Sequence, residues 1–173
     1  MKRRPTGEPM PDEIAFEFGE LRVLWDTEAI ADYEGSEPKT AWTLEGSLAP
    51  AHTALRALAG RSADGSMLLL AAVRPAEAEA HGEEPIGATL IEPSGTVTAM
   101  DEALLSTEYS GDGAVRRITL ELYREGDDYP IRGAGDTLSA SAREDDGLRT
   151  ESATLHFRLD GHEGVALYEI VHA

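Results

Sequence analysis

Residues 153–171, ATLHFRLDGHEGVALYEIV, are the most informative segment for the fold, because they carry the complete pattern of a β-hairpin. Apolar residues occupy every second position from Ala153 to Leu159, and the alternation resumes from Val165 to Val171. The intervening segment DGHEG at 160–164 contains the aspartate and glycines that favour a turn. Alternation with a period of two is typical of β-strands, so this stretch predicts two antiparallel strands joined by a turn.

The same pattern continues towards the N-terminus as a meander of short strands. Turn residues separate these strands at intervals of about 8–12 residues, which is typical of antiparallel sandwiches and barrels. A final pair of strands is predicted to meet at a turn at Gly135-Asp136. The predicted strands lie over residues 86–91, 96–100, 103–109, 115–124, 129–133 and 137–142.

The N-terminal half adds three strands and one short helix to the prediction. Strands are expected over 14–25, with a bulge or bend at Gly19 where the alternation changes phase, and over 40–48. The run MLLLAAV at 67–73 is apolar without alternation, which predicts a strand covered on both faces. The stretch PAHTALRALAGR at 50–61 contains good helix formers and a terminal glycine, which predicts the short helix.

The fold class expected from these segments is all-β, an antiparallel meander that forms a barrel or half-barrel with at most one short helix. Residues 1–13 contain three prolines and mixed charge, which predicts a disordered arm, and residues 14–173 are expected to form one domain. Residues 26–39 are acidic and rich in turn formers, and residues 75–85 (PAEAEAHGEEP) predict a solvated loop.

Charge and composition exclude several classes of function. The formal net charge is -18, from 33 acidic and 15 basic residues, so binding to nucleic acid or to anionic membranes is disfavoured. No cysteine is present, which excludes thiol catalysis and thiolate metal sites. No segment approaches the roughly 20 apolar residues that span a bilayer. We therefore expect no membrane span and a cytoplasmic location.

Glu169 is the carboxylate of greatest interest, because alternation places it on the core face with Val165, Leu167 and Val171. A buried carboxylate needs a cation or a hydrogen-bond donor, or else its pKa rises. We expect it to be hydrogen-bonded to an arginine, a tyrosine or a backbone donor. Three roles stay open for it: a general acid, a ligand anchor, or a structural strap to an inward arginine.

The aromatic residues allow two interpretations. Trp25, Trp42 and Phe157 would pack in the core of an ordinary β-domain, whereas in a barrel they would line an apolar pocket for a flat or lipidic ligand. No cofactor is expected. No metal site is expected either, because the five histidines lack the spacing of known ligand sets. These are His52, His81, His156, His162 and His172.

Three segments also carry a family resemblance: IGATLI at 86–91, YSGDG at 109–113, and LHFRLDGHEG at 155–164 running into Tyr168-Glu169. Together they resemble the C-terminal portion of the lipocalin-like family that includes hydroxyneurosporene synthase, the carotenoid 1,2-hydratase. The resemblance implies a calycin-type barrel or half-barrel, with Glu169 matching the glutamate of the terminal strand. Members of that family join two similar halves in one chain. A single half would leave an apolar face or an unpaired edge, which implies a two-fold homodimer.

Three functions follow from these observations. The first is a non-catalytic or accessory β-barrel domain that self-associates and binds a small apolar or amphipathic molecule, with Trp25, Trp42, Phe157 and Glu169 as its ligand-binding residues. The alternative is a hydratase-type or isomerase-type enzyme, in which Glu169 with Asp101 or Tyr168 transfers a proton in an apolar cavity. The third is a purely structural acidic oligomer.

Overall fold

The structure, a computed structural model, describes residues 11–34, 37–77 and 84–173. Most of the predicted arm, residues 1–10, and residues 78–83 of the predicted loop lie outside these ranges. Within them the chain forms twelve strands, one α-helix and one 3₁₀-helix. In chain order these are β1 (Glu13–Phe18), β2 (Leu21–Asp26), α1 (Thr27–Ala31), the 3₁₀-helix (Asp32–Glu34), β3 (Trp42–Glu45), β4 (His52–Ser62), β5 (Met67–Pro75), β6 (Ile86–Ile91), β7 (Val97–Ala99), β8 (Glu102–Tyr109), β9 (Val115–Tyr123), β10 (Ile131–Asp145), β11 (Leu148–Leu159) and β12 (His162–His172).

Nine of the strands form one antiparallel sheet in the order β7-β6-β5-β4-β12-β11-β10-β9-β8. Two meanders, β4 to β7 and β8 to β12, are joined where β12 pairs with β4. The sheet curls until β6 contacts β8, and the result is a half-barrel. The predicted all-β antiparallel meander is therefore confirmed, and the half-barrel is consistent with a lipocalin-like fold. No helix in the described ranges is long and apolar enough to cross a membrane.

A second sheet of three strands, in the order β1-β2-β3, packs on the outer face of the half-barrel. The molecule therefore has two apolar cores. The outer core lies between the two sheets and contains Trp25, Leu55 and Leu69. The inner core lies inside the half-barrel and contains Leu58, Leu68 and Phe157.

The run Met67–Val73 in β5 is buried along its whole length, as predicted from its continuous apolar character. Leu69, Ala71 and Val73 face the outer core, while Leu68 and Leu70 face the inner core. The residues that cover the two faces of this run belong to the same chain.

The predicted helix over 50–61 is wrong, because this segment forms β4. β4 pairs with β5 on one side and β12 on the other, and alternate residues face the two cores. Since both faces are buried, small and large apolar residues occur on both, and the period of two is hidden. Gly60 does not end a helix: a Cβ atom there would lie 2.6 Å from the Phe157 ring, so glycine makes room for that ring.

The short helix lies instead at α1, within the segment that was predicted to be turn-rich. Asp26 caps this helix, because its side-chain carboxylate accepts hydrogen bonds from the backbone N–H groups of Glu28 and Ala29.

The predicted turn at Gly135-Asp136 is also wrong, since β10 is continuous from Ile131 to Asp145. A Cβ atom at Gly135 would lie 2.9 Å from Leu155 Cδ1, so this glycine accommodates a neighbouring side chain.

The first and the last hairpin of the chain, β1–β2 and β11–β12, have tighter turns than predicted. Gly19, with φ +64°, forms a hairpin turn with Glu20, so the predicted bent strand 14–25 is two paired strands. The terminal hairpin turns at Asp160-Gly161 alone, both with positive φ, as a two-residue type I′ turn requires.

Candidate functional site

The half-barrel carries a cleft of about 660 Å³ at one end, which we name the barrel-end cleft. Residues of β4, β5, β8 and β12 line it together with Glu84. Its apolar walls include Ala54, Leu105 and Ile170. The apolar lining lies beside charged and hydroxyl-bearing residues, so the cleft offers both kinds of surface to a ligand.

A polar network built on Arg56 and Tyr168 lies between this cleft and the inner core. Arg56 Nε donates a hydrogen bond to Glu84 Oε1 at 2.9 Å, and the two side chains are 14% and 5% exposed. Arg56 also donates to the backbone oxygen of Leu105 at 3.4 Å. The hydroxyl groups of Tyr168 and Thr107 are 2.8 Å apart. These hydrogen bonds link β4 to Glu84 and to β8, and β8 to β12, beneath the cleft.

The surroundings of Tyr168 and Arg56 keep these two groups in their ordinary protonation states at neutral pH. Burial raises the pKa of Tyr168, and the neighbouring Arg56 and Thr107 offset that effect in part. Burial lowers the pKa of Arg56, but Tyr168 and Glu84 together raise it above its usual value. Tyr168 is therefore a neutral hydrogen-bonding group and Arg56 a fixed cation.

Glu169 lies on the opposite face of β12 and is 2% exposed, as predicted from the alternation. Thr40 Oγ1 donates to its Oε2 at 2.6 Å, and Trp42 Nε1 donates to its Oε1 at 2.9 Å. The predicted arginine, tyrosine or backbone donor is therefore wrong among the described residues. The reason is that the segment leading into β3 lies across β12 and supplies its own side-chain donors.

A second cleft, which we name the outer cleft, borders Glu169 and has a volume of about 490 Å³. One wall is formed by hydroxyl-bearing residues of β10 and β11, because every second residue of these strands faces this side of the sheet. Lys39 and Arg143 also line the cleft. The hydroxyl-bearing residues are Ser139, Ser141, Ser152 and Thr154.

The structure does not bring the three catalytic candidates together. Tyr168 and Glu169 are consecutive strand residues, so their side chains face opposite sides of the sheet. Asp101 is exposed and lines neither cleft.

Of the four ligand-binding candidates, Trp42 and Glu169 meet in a hydrogen bond, and the other two lie in the cores. Trp25 is 1% exposed and packs edge-on against Phe16, with ring centroids 6.0 Å apart. Phe157 is fully buried in the inner core. Across the described ranges, no group of three or more histidine, aspartate or glutamate side chains could hold a metal ion.

Arg56, Thr107 and Glu84 are the residues that the sequence reasoning missed. Arg56 shares the inward face of β4 with Leu58 and Gly60. A charged residue in a series that faces the core indicates a buried polar site. The signal was hidden because the segment was interpreted as a helix. Thr107 likewise follows Ala103 and Leu105 on the inward face of β8.

No known protein-family profile matches the chain, and no curated protein matches it either. Among solved structures, the chain is similar to a crystal structure of a protein provisionally assigned as AttH from Nitrosomonas europaea. The TM-score is 0.55 and the sequence identity is 14%, over 92% of this chain and 63% of that one. The similarity shows the fold alone, and this chain spans less than two thirds of that protein's length.

Proposed function

We propose that this chain is a non-catalytic binding domain that holds a small amphipathic molecule in the barrel-end cleft. The observation that supports this is the combination of a cleft of about 660 Å³ with apolar walls and a buried Arg56–Glu84 pair. Ligand pockets in proteins commonly have volumes of roughly 300–1,000 Å³, a mostly apolar lining and a few polar groups that orient the ligand.

In this proposal the ligand lies at the end of the half-barrel and not at its centre. The centre is filled, since Leu58, Phe157 and Tyr168 are fully buried. An apolar part of the ligand would pack on Leu105 and Ile170, and its polar head would face Arg56. A carboxylate or sulfonate head suits an arginine, because the guanidinium group offers several fixed N–H donors.

The geometry favours binding over the hydratase-type or isomerase-type alternative. Proton transfer in one cavity needs an acid and a base on the same side of the substrate, whereas Tyr168 and Glu169 face opposite sides of β12. The raised pKa of Tyr168 also opposes loss of its proton at neutral pH.

We also propose that the chain belongs to the lipocalin-like family that its sequence resembles, that it is cytoplasmic, and that it forms a two-fold homodimer. The Met67–Val73 run is covered within the chain, so it does not supply the dimer interface. A different feature supports association: β10 pairs with β9 only over Ile131–Asp136, and its edge from Ser139 to Asp145 has no strand partner among the described residues.

A pair of adjacent leucines in β8 provides the test. Leu105 lines the cleft, whereas Leu104 is 48% exposed and lies outside its lining. We expect Leu105→Trp to fill the cleft and weaken laurate binding by roughly tenfold or more, measured by isothermal titration calorimetry. Leu104→Trp, which adds the same volume, is expected to bind laurate as the unmodified protein does.

Dodecanol serves as the neutral comparison ligand. Weaker binding of dodecanol than of laurate supports an anionic head beside Arg56. Equal laurate binding by both tryptophan variants would contradict the proposal, as would the absence of laurate binding to the unmodified protein.

A further inference from the structure

Glu169 is a buried carboxylate whose hydrogen-bond donors are both neutral. The Thr40 hydroxyl and the Trp42 indole hold it, and among the described residues no lysine, arginine or histidine forms an ion pair with it. A buried charge without a counter-ion is costly, and a cation close to it would lower that cost. Glu169 is 2% exposed and borders the outer cleft, so it lies at the floor of an opening that a cation could enter.

The walls of the outer cleft determine which kind of cation would fit. Ser139, Ser141, Ser152 and Thr154 place hydroxyl groups along one side, and Ser152 lies directly opposite Glu169 in the β11–β12 register. A hydroxyl group both donates and accepts hydrogen bonds, so this wall suits a ligand that carries several hydroxyl groups. The described residues contain no group of three metal-ligating side chains, which favours an organic cation over a metal ion.

The charges at the rim fix the sign of the expected effects. Glu37, Lys39 and Arg143 line the same cleft, and Arg143 is 57% exposed with its Nε 3.2 Å from Asp145 Oδ2. A cationic ligand would be repelled by Arg143, whereas an anionic ligand would be attracted by it. The net charge of -18 favours the approach of a cation to the molecule as a whole.

We propose that the outer cleft binds a hydroxylated primary amine, an amino alcohol or an amino sugar, with its ammonium group on Glu169 and its hydroxyl groups on the serine and threonine wall. The site is independent of the barrel-end cleft, because the two lie on opposite faces of β12. Failure of laurate binding at Leu105 therefore leaves this inference unaffected.

The two tryptophans of the chain provide the measurement. Trp42 Nε1–H donates to Glu169, whereas Trp25 Nε1 lies buried without a hydrogen-bond partner among the described residues. In a two-dimensional ¹H–¹⁵N spectrum we expect glucosamine to shift the Trp42 indole signal in a saturable manner, and to leave the Trp25 signal unchanged. Glucose, which lacks the ammonium group, and butylamine, which lacks the hydroxyl groups, are expected to bind more weakly.

Three variants distinguish a specific contact with Glu169 from general attraction of a cation to the acidic protein. Glu169→Gln removes the anion and is expected to weaken glucosamine binding by about tenfold or more. Arg143→Gln is expected to strengthen binding by about two- to threefold, because it removes a rim cation. Arg132→Gln changes the net charge equally but lies outside the cleft lining, and it is expected to have no effect.

Several outcomes would overturn the inference. These are equal binding of glucose and glucosamine, no shift of the Trp42 signal, and weaker binding after Arg143→Gln, which would indicate an anionic ligand. If Glu169→Gln does not fold, the comparison of Arg143→Gln with Arg132→Gln still decides the charge of the ligand.

Discussion

Gly60 is required by a contact with a residue distant along the chain, and its sequence neighbours do not indicate that contact. It follows the segment LRALA and resembles a helix C-cap, yet it lies within β4 against the ring of Phe157. The ring occupies the space in which any other residue would place its Cβ atom. A glycine in a strand interior often marks such a close approach.

We expect Gly60→Ala to destabilise the protein by about 1–3 kcal/mol, because the new methyl group would lie 2.6 Å from Phe157 Cε2 in a packed core. Chemical denaturation would measure this change. Gly87→Ala in β6 is the matched control, since its methyl group would lie 3.6 Å from Phe16, an ordinary contact. Equal stability of the two variants would mean that the Phe157 ring moves aside at little cost.

Among the strands of the half-barrel, β10 differs from the others in having two distinct parts. Ile131–Asp136 pairs with β9 and β11, whereas the part from Ser139 to Asp145 pairs only with β11 within the described part of the chain. Every residue of the second part is exposed. It is therefore an edge strand that projects from the sheet, although its first half is a central strand.

Hydrogen exchange is expected to separate these two parts. Amides from Ile131 to Asp136 should be protected on both sides of the strand. From Ser139 to Asp145, alternate amides point away from β11 and should exchange within minutes, as measured by NMR. β4, which is paired on both sides, provides the internal reference. Protection of every amide from Ser139 to Asp145 would instead show that another strand covers this edge.

The net charge of the molecule opposes association through the free edge of β10. Each chain carries a net charge of -18, and two chains brought together repel one another. Salt screens this repulsion, with a Debye length of about 8 Å at physiological ionic strength. The proposed homodimer should therefore be weak at low salt and tighter at high salt.

Sedimentation equilibrium across a salt series tests this prediction. We expect the average mass to rise from 18.6 kDa towards twice that value as salt is added. Leu138 lies next to the free edge and is 67% exposed. Leu138→Glu should abolish association, because it replaces this exposed apolar side chain with a charge. Tyr129→Glu adds the same charge at an 83% exposed position outside the strand and should affect it less. A mass of 18.6 kDa at every salt concentration would show that the domain is a monomer.

Local pattern predicted the strands that are buried on one face or bounded by clear turns. β6 was predicted with its observed bounds, and the strand at Met67–Val73 was predicted two residues shorter than β5. The terminal hairpin was predicted as a hairpin, with strands shorter than β11 and β12. Alternation also predicted the burial of Glu169. These features depend on neighbours within a few residues along the chain, so the sequence carries them directly.

Alternation along the chain was thus enough to predict the all-β class, the meander and the burial of Glu169, because a period of two is a property of the local chain. The tertiary structure was needed to show that residues 52–62 form a strand, since pairing with β5 and β12 outweighs the helix propensity of their alanines and leucines. It alone decided the partners of Glu169, because Thr40 and Trp42 are more than a hundred residues distant along the chain. It also placed Tyr168 in the inner core and Glu169 beside the outer cleft, because alternation puts the two on opposite faces of β12 but only the packing of the chain determines what covers each face.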